Sequence, residues 1–252
     1  MAPATMRFET HANLPTEGAT LIEGLPGHGM VASIAVEQIV DQLDMTHAAS
    51  VESDAYFPIL TYRDGGLQDA VRVYAHADAS LLALMSDTAI PPDAFPALGE
   101  TLVGELATRL SRAIFLVEVP TERGTEDGVV TAVGSTDDLR SSLLDASITI
   151  EREEGLLIGP TGALASAFYH AGVPTVVLLV KTGLDPFVPD PGGAKTLIDE
   201  ALEPLVDFAI DTTPLAARAE AIRADMQSMA TQLKHLSDGT GFVESTYDSM
   251  YQ

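Results

Sequence analysis

The sequence predicts an α/β protein in which helices cover a mainly parallel sheet. Three observations carry that expectation. The run Ala113–Val119 is nearly all apolar, as strands buried on both faces are. Segments of helical spacing such as Met30–Leu43 alternate with such runs along the chain. Glycine-rich turns stand where a strand hands over to a helix, at Gly24-Leu-Pro-Gly27-His-Gly29 and at Gly159-Pro-Thr161-Gly162.

Taken in order, Thr20–Leu25 reads as a strand and Met30–Leu43 as a helix, with Met30, Val31, Ile34, Ala35, Ile39 and Leu43 on one face. Ala48–Ser53, Ala70–Ala75 and Leu81–Ser86 read as strands, with Asp64-Gly65-Gly66 as a turn signal between the first two. Pro91-Pro92 opens a helix expected over Asp93–Ser111, followed by strand Ala113–Val119. Strand Val129–Val133, helices Thr136–Leu144 and Thr161–His170, and strand Thr175–Val180 continue the alternation. The loop Gly183–Gly193, with three Pro and three Gly, leads into a helix expected over Ala194–Ala209.

The expected organisation is an α/β domain over residues 1–210, a helix over 211–236 and a flexible tail over 237–252. In the second part Leu215, Ala219, Ile222, Met226, Met229, Leu233 and Leu236 recur at alternating spacings of four and three, a heptad seam. Two readings stay open: a helix lying on its own domain, or one that joins copies of the chain. Leu215–Leu236 carries Arg218, Arg223 and Lys234 against Glu220 and Asp225, so it is nearly neutral and approaches a copy of itself with little repulsion. That favours self-association.

The formal charge is −24, with ten Arg and only three Lys among the bases. A chain so acidic is not a nucleic-acid binder of the usual kind, which needs clustered cations. An acidic, Lys-poor composition fits a protein working in very high salt, where carboxylates are screened within about 3 Å at 1 M. The absence of cysteine removes disulfides, thiolate zinc sites and thiol nucleophiles together. Met1–Thr20 has no apolar signal core, and the longest aliphatic run, Val176–Val180, is far short of the roughly 20 residues of a membrane helix. A soluble, cytoplasmic protein is expected.

Candidate chemistry is sparse. The Gly24–Gly29 turn sits where phosphate-binding loops sit, at a helix N-terminus after a strand, yet it lacks Gly-Lys-Ser/Thr and is not a full G-x-G-x-x-G. A tight turn explains its glycines equally well, so a nucleotide or small metabolite at this turn remains the alternative. The six histidines show no metal-binding spacing, and no Ser lies in a nucleophile elbow. No catalytic group, cofactor or metal is expected. The closing residues Met250-Tyr251-Gln252 are different: an apolar residue, a Tyr and a terminal carboxylate make a compact docking element, the ring for a pocket and the charge for a cation.

These features together resemble the proteasome assembly chaperone family in its archaeal form. The resemblance rests on Leu21-Ile-Glu-Gly-Leu-Pro-Gly-His-Gly-Met-Val-Ala-Ser, on Gly159-Pro-Thr-Gly-Ala-Leu with the later Ala171-Gly-Val-Pro, and on the hydrophobic-Tyr-any ending. It implies a three-layer α/β/α fold similar to nucleoside phosphorylases and hydrolases, without their catalytic residues. It also implies that Tyr251 inserts between neighbouring α-subunits of the 20S proteasome, that Met250 packs beside it, and that the Gln252 carboxylate pairs with a pocket lysine. A homo-oligomer presenting several such tails is the implied assembly.

Overall fold

Strand residues alternate between two apolar faces, and each face has its own helices. The structure, a computed structural model, describes residues 6–63, 65–76, 80–121, 129–183, 185, 187–222 and 224. The strands are β1 (Arg7–Thr10), β2 (Ala19–Gly24), β3 (Thr46–Glu52), β4 (Leu60–Arg63), β5 (Gly66–Asp69), β6 (Val71–His76), β7 (Leu81–Ser86), β8 (Leu110–Pro120), β9 (Val130–Gly134), β10 (Thr149–Ile150) and β11 (Thr175–Thr182). The helices are α1 (Val31–Gln42), α2 (Phe95–Leu106), α3 (Asp137–Asp145), α4 (Gly159–His170), α5 (Pro191–Leu197) and α6 (Glu203–Val206).

Among the described residues one large sheet has the order β1-β3-β6-β7-β2-β8-β11-β9-β10, and β4 and β5 form a separate hairpin. The four central strands β7, β2, β8 and β11 run parallel. Antiparallel pairs flank them, β6 on β7 and β9 on β11. Right-handed crossovers through helices are the ordinary way to make such a parallel centre, which is why helices cover both faces. Ala19 and Leu21 of β2, Ala113 and Phe115 of β8 and Val177 of β11 share a core with Leu98 and Leu102 of α2 and Leu164 and Phe168 of α4. The Phe115 and Phe168 rings meet there with centroids 5.8 Å apart. On the other face α1 packs against β2, β7, β8 and α5. This is the three-layer α/β/α architecture.

Several expected boundaries move. The helix expected to run to Ser111 ends as α2 at Leu106, passes through a 3-10 turn at Ala107–Arg109 and becomes β8 at Leu110. There Arg109 Nε donates to the Glu105 carbonyl at 2.9 Å and Nη1 to the Pro15 carbonyl at 3.1 Å, closing the helix end. The helix expected at Ala194 starts instead at Pro191, inside the expected loop, because Asp190 caps it by accepting from the Gly193 amide at 2.9 Å. It passes through a π turn at Ile198–Leu202 and stops at Val206, where Asp207 takes a left-handed conformation (φ 61°), rather than at Ala209.

The chain divides into two compact units, Met1–Thr212 and Thr213–Gln252. In the second, the backbone is helical over residues 213–222, and Leu215 and Ala219 are buried while Ile222 is half-buried. Met226, Met229, Leu233 and Leu236 of the expected seam, and Met250, Tyr251 and Gln252, lie outside the described residues.

Candidate functional site

The carboxyl ends of parallel strands are where α/β proteins place their ligands, and here both glycine turns lie at that end. Each is held by a glutamate from the sheet. Glu23, the penultimate residue of β2, points to the α4 face, in step with Ala19 and Leu21. It is fully buried. Its Oε1 accepts from the Leu25 amide at 3.1 Å and from the Thr161 hydroxyl at 3.0 Å, fixing the first turn of α4 to the end of β2. Its Oε2 accepts from the Leu116 amide at 3.4 Å, just beyond the Ile22–Ile114 pair where β2 leaves β8.

Glu118 of β8 points to the opposite face, in step with Ile114 and Leu116. Its Oε1 accepts from the Ala32 amide at 3.0 Å, in the first turn of α1. An anion is stabilised at that position by an unpaired amide and the helix dipole. The chain thus supplies its own carboxylate where a phosphate-binding loop holds phosphate. Gly27 makes room for it, because a Cβ there would meet Glu118 Oε2 at 2.2 Å. This geometry speaks against a nucleotide at the Gly24–Gly29 turn.

The neighbouring loop is tied to the same turn. His28 Nε2 donates to the Gly183 carbonyl at 2.7 Å, and the Asp190 amide donates to the Gly29 carbonyl at 2.8 Å. The second glycine turn is equally tight: a Cβ on Gly162 would meet the Leu157 carbonyl carbon at 2.5 Å.

Burial sets the protonation of both glutamates. Glu23 is pushed up to about 8 by burial, against the opposing Thr161 hydrogen bond and with a further push from the charge of Glu118. Glu118 is raised to about 7 by burial, partly offset by the Ala32 amide. Two acids whose carboxyls are pushed up toward neutrality, Glu23 fully buried and Glu118 half-buried, are a feature that the sequence analysis does not single out. Their signal was a charged residue at the end of an otherwise apolar strand, in Thr20-Leu-Ile-Glu23 and Ile114-Phe-Leu-Val-Glu118.

Among the described residues no three His, Asp or Glu side chains are grouped to hold a metal ion. Among them, too, no helix is long and apolar enough to cross a membrane. Of the residues singled out in the sequence, the structure brings the two glycine turns together at one end of the sheet.

Known proteins share this architecture. Pyrococcus furiosus PbaA, an archaeal homolog of proteasome-assembly chaperone, superposes with a TM-score of 0.80 over 98% of this chain and 100% of its own, at 23% identity. Pyrococcus furiosus PbaB, an archaeal proteasome activator, gives 0.75 over 90% and 99%, at 20% identity. An uncharacterized protein of Methanocaldococcus jannaschii is 27% identical over 92% of this chain and 94% of its own length. The model of the PAC2 family matches residues 21–230, five-sixths of the sequence, and the chain belongs to that family.

Proposed function

We propose that this PAC2-family chain is a chaperone or regulator of the proteasome that docks its C-terminal residues onto the α-ring of the 20S core. The observation that carries the reading is the ending Met250-Tyr251-Gln252, hydrophobic-Tyr-any, on a chain of this family and of the fold of PbaA and PbaB. Tyr251 fills a pocket between neighbouring α-subunits, Met250 packs beside it, and the Gln252 carboxylate pairs with a lysine there. One buried ring contributes only about 1.5–3 kcal/mol, so a single tail binds weakly. A homo-oligomer joined through Leu215, Ile222, Met226, Met229, Leu233 and Leu236 presents several tails together and gains affinity by avidity. The setting is the cytoplasm of a cell with high internal salt, which the charge of −24 favours.

The competing reading is a nucleotide- or metabolite-binding protein using the Gly24–Gly29 turn. Glu118 counts against it by taking the Ala32 amide that a phosphate needs. Capture of 20S particles by the full chain, compared with a chain lacking Met250–Gln252, tests the first reading. Thermal shifts with nucleosides and phosphorylated metabolites test the second.

A further inference from the structure

One buried hydroxyl serves two histidines at the outer edge of the sheet. In a regular strand His47 and Ser50, three residues apart, would point to opposite faces. In β3 the register shifts between His47 and Ala49: His47 stands opposite Tyr74 and Ala49 opposite Val73, with Ala48 as the extra residue of a bulge. The bulge brings His47 round to the face of Ser50. It also turns the Ala48 carbonyl to the N-terminal segment, where it accepts from the His11 amide at 2.7 Å and the Ala12 amide at 3.1 Å, just past the end of β1.

The side chain of His11 reaches back over the same place. Its Nε2 lies 3.0 Å from Ser50 Oγ, and His47 Nε2 lies 3.0 Å from the same oxygen. The two rings meet edge to face with centroids 4.9 Å apart. Ser50 is fully buried, His47 half-buried and His11 exposed.

The partners decide where the protons sit. His47 Nε2 is also 3.1 Å from the Ala49 carbonyl, which only accepts, so this nitrogen carries a proton. Ser50 Oγ therefore accepts from His47 and gives its single proton to His11 Nε2, which must be bare. The chain of hydrogen bonds runs one way, from His47 to Ser50 to His11, and requires a neutral His11 protonated at Nδ1. A proton added at His11 Nε2 closes that acceptor and leaves a buried hydroxyl with its hydrogen bond unmade.

The surroundings weigh against positive charge on this pair. Arg72 stands opposite Ser50 on β6, pinned to Asp87 and to the Tyr74 hydroxyl, and the Tyr74 ring lies 5.5 Å from that of His47. His76 follows on the same face of β6. From β1, Glu9 stands opposite Ser50, and at the next pair Arg7 and Glu52 hold each other at 2.8 Å. Burial lowers the pKa of His47 most, the charges of His11 and Arg72 lower it further, and the Ala49 carbonyl and Asp69 offset only part. The stability that a neutral His47 contributes is thus present above its ordinary value of 6.5 and is lost as pH falls.

We infer that His11, Ser50 and His47 form a proton-controlled latch on the N-terminal strand, closed while both rings are neutral and loosened in acid. β1 ends the strand order of the sheet, held on the core side by Phe8 and Ala12 and on this side by His11. Loosening it bares the outer edge of β3, a row of unpaired amides and carbonyls open to another strand. The latch does not rest on proteasome binding.

Two measurements on the full chain in high salt test it. Long-range proton–nitrogen NMR of histidine-labelled protein at about pH 7.5 should show His47 protonated at Nε2 and His11 at Nδ1; the opposite tautomer of His11 would overturn the inference. Hydrogen exchange of the peptide spanning β1 and Ala12, corrected for the intrinsic effect of pH, should lose about fivefold in protection between about pH 7.5 and about pH 5, the effect of one modest hydrogen bond. β2 and β8 should not follow, because Glu23 and Glu118 make the fold more stable over the same fall in pH. His11→Gln offers Ser50 an amide oxygen in place of Nε2 and does not titrate, so it should keep the protection seen at about pH 7.5 and lose most of its pH dependence. Protection of the first strand that is unchanged in acid, or that falls as far in His11→Gln, would overturn the latch.

Discussion

Glu23 and Glu118 are single side chains that set how two helices start. Their pKa values, about 8 and about 7, lie above the ordinary carboxyl value of 4.5. The unfolded chain sheds these protons above pH 4.5 while the folded chain keeps them, so stability falls as pH rises from about 4.5 toward 8. The slope is about 1.4 kcal/mol per pH unit for each group that remains protonated, and it ends once the folded state ionises too. Urea midpoints from pH 5 to 9 in high salt should show this fall, and Glu23→Gln should remove much of it; a slope unchanged by the substitution would contradict the assignment. Gly162→Ala drives a Cβ against the Leu157 backbone and should cost about 1–3 kcal/mol, read as a drop in melting temperature. The Gly24–Gly29 turn was legible because few other residues fit a tight strand-to-helix turn; Gly159–Gly162, expected to be a second such turn, instead opens α4 after the loop 151–158 that follows β10. The glutamates were not, because a charged residue reads as exposed until the pairing shows which way it points. Thr161 and Leu116, which satisfy Glu23, are distant from it in sequence.

At the scale of elements, the central strands and the helices between them follow from apolar runs and helical spacing. The short pieces do not. β1 has four residues and β10 two, too few for a period to show. The hairpin strands β4 and β5 escaped because their apolar residues face solvent and their polar residues face Arg72, the reverse of the usual pattern. Asp87 is the key to that reversal: burial opposes its ionisation, but the Arg72 hydrogen bonds and charge outweigh burial and hold it below the usual range. Asp87→Ala takes the carboxylate from Arg72, which keeps its bonds to Tyr74, Thr61 and the Asp69 carbonyl, and should cost about 1.5–3 kcal/mol, measured by urea unfolding; a loss within about 0.5 kcal/mol would mean that the pair is not what anchors the hairpin. The helix beginning at Thr213 makes a separate proposal. Met226→Asp with Met229→Asp sets charges in the heptad seam and should lower the mass seen by light scattering while the α/β unit stays folded by circular dichroism. Unchanged mass would remove that helix from the assembly.

The whole molecule carries −24 charges, and its surface and its assembly both answer to that number. Self-repulsion destabilises the compact state as screening weakens, so the melting temperature should rise between 50 mM and 2 M salt; equal stability at both would leave the acidic composition to a specific cationic partner instead. The same repulsion confines contacts between copies to neutral places, and the proposed place, the Leu215–Leu236 segment, is nearly neutral. An oligomer so formed brings several C-terminal tails to one ring of the proteasome, which is the central claim. Appending one residue after Gln252 tests it most directly, because the change keeps Tyr251 and moves only the carboxylate. Binding of the extended protein to archaeal 20S particles, measured by surface plasmon resonance in high salt, should be lost while oligomer mass stays the same. Binding as tight as that of the original would contradict pocket-and-carboxylate docking and move any association to the globular body.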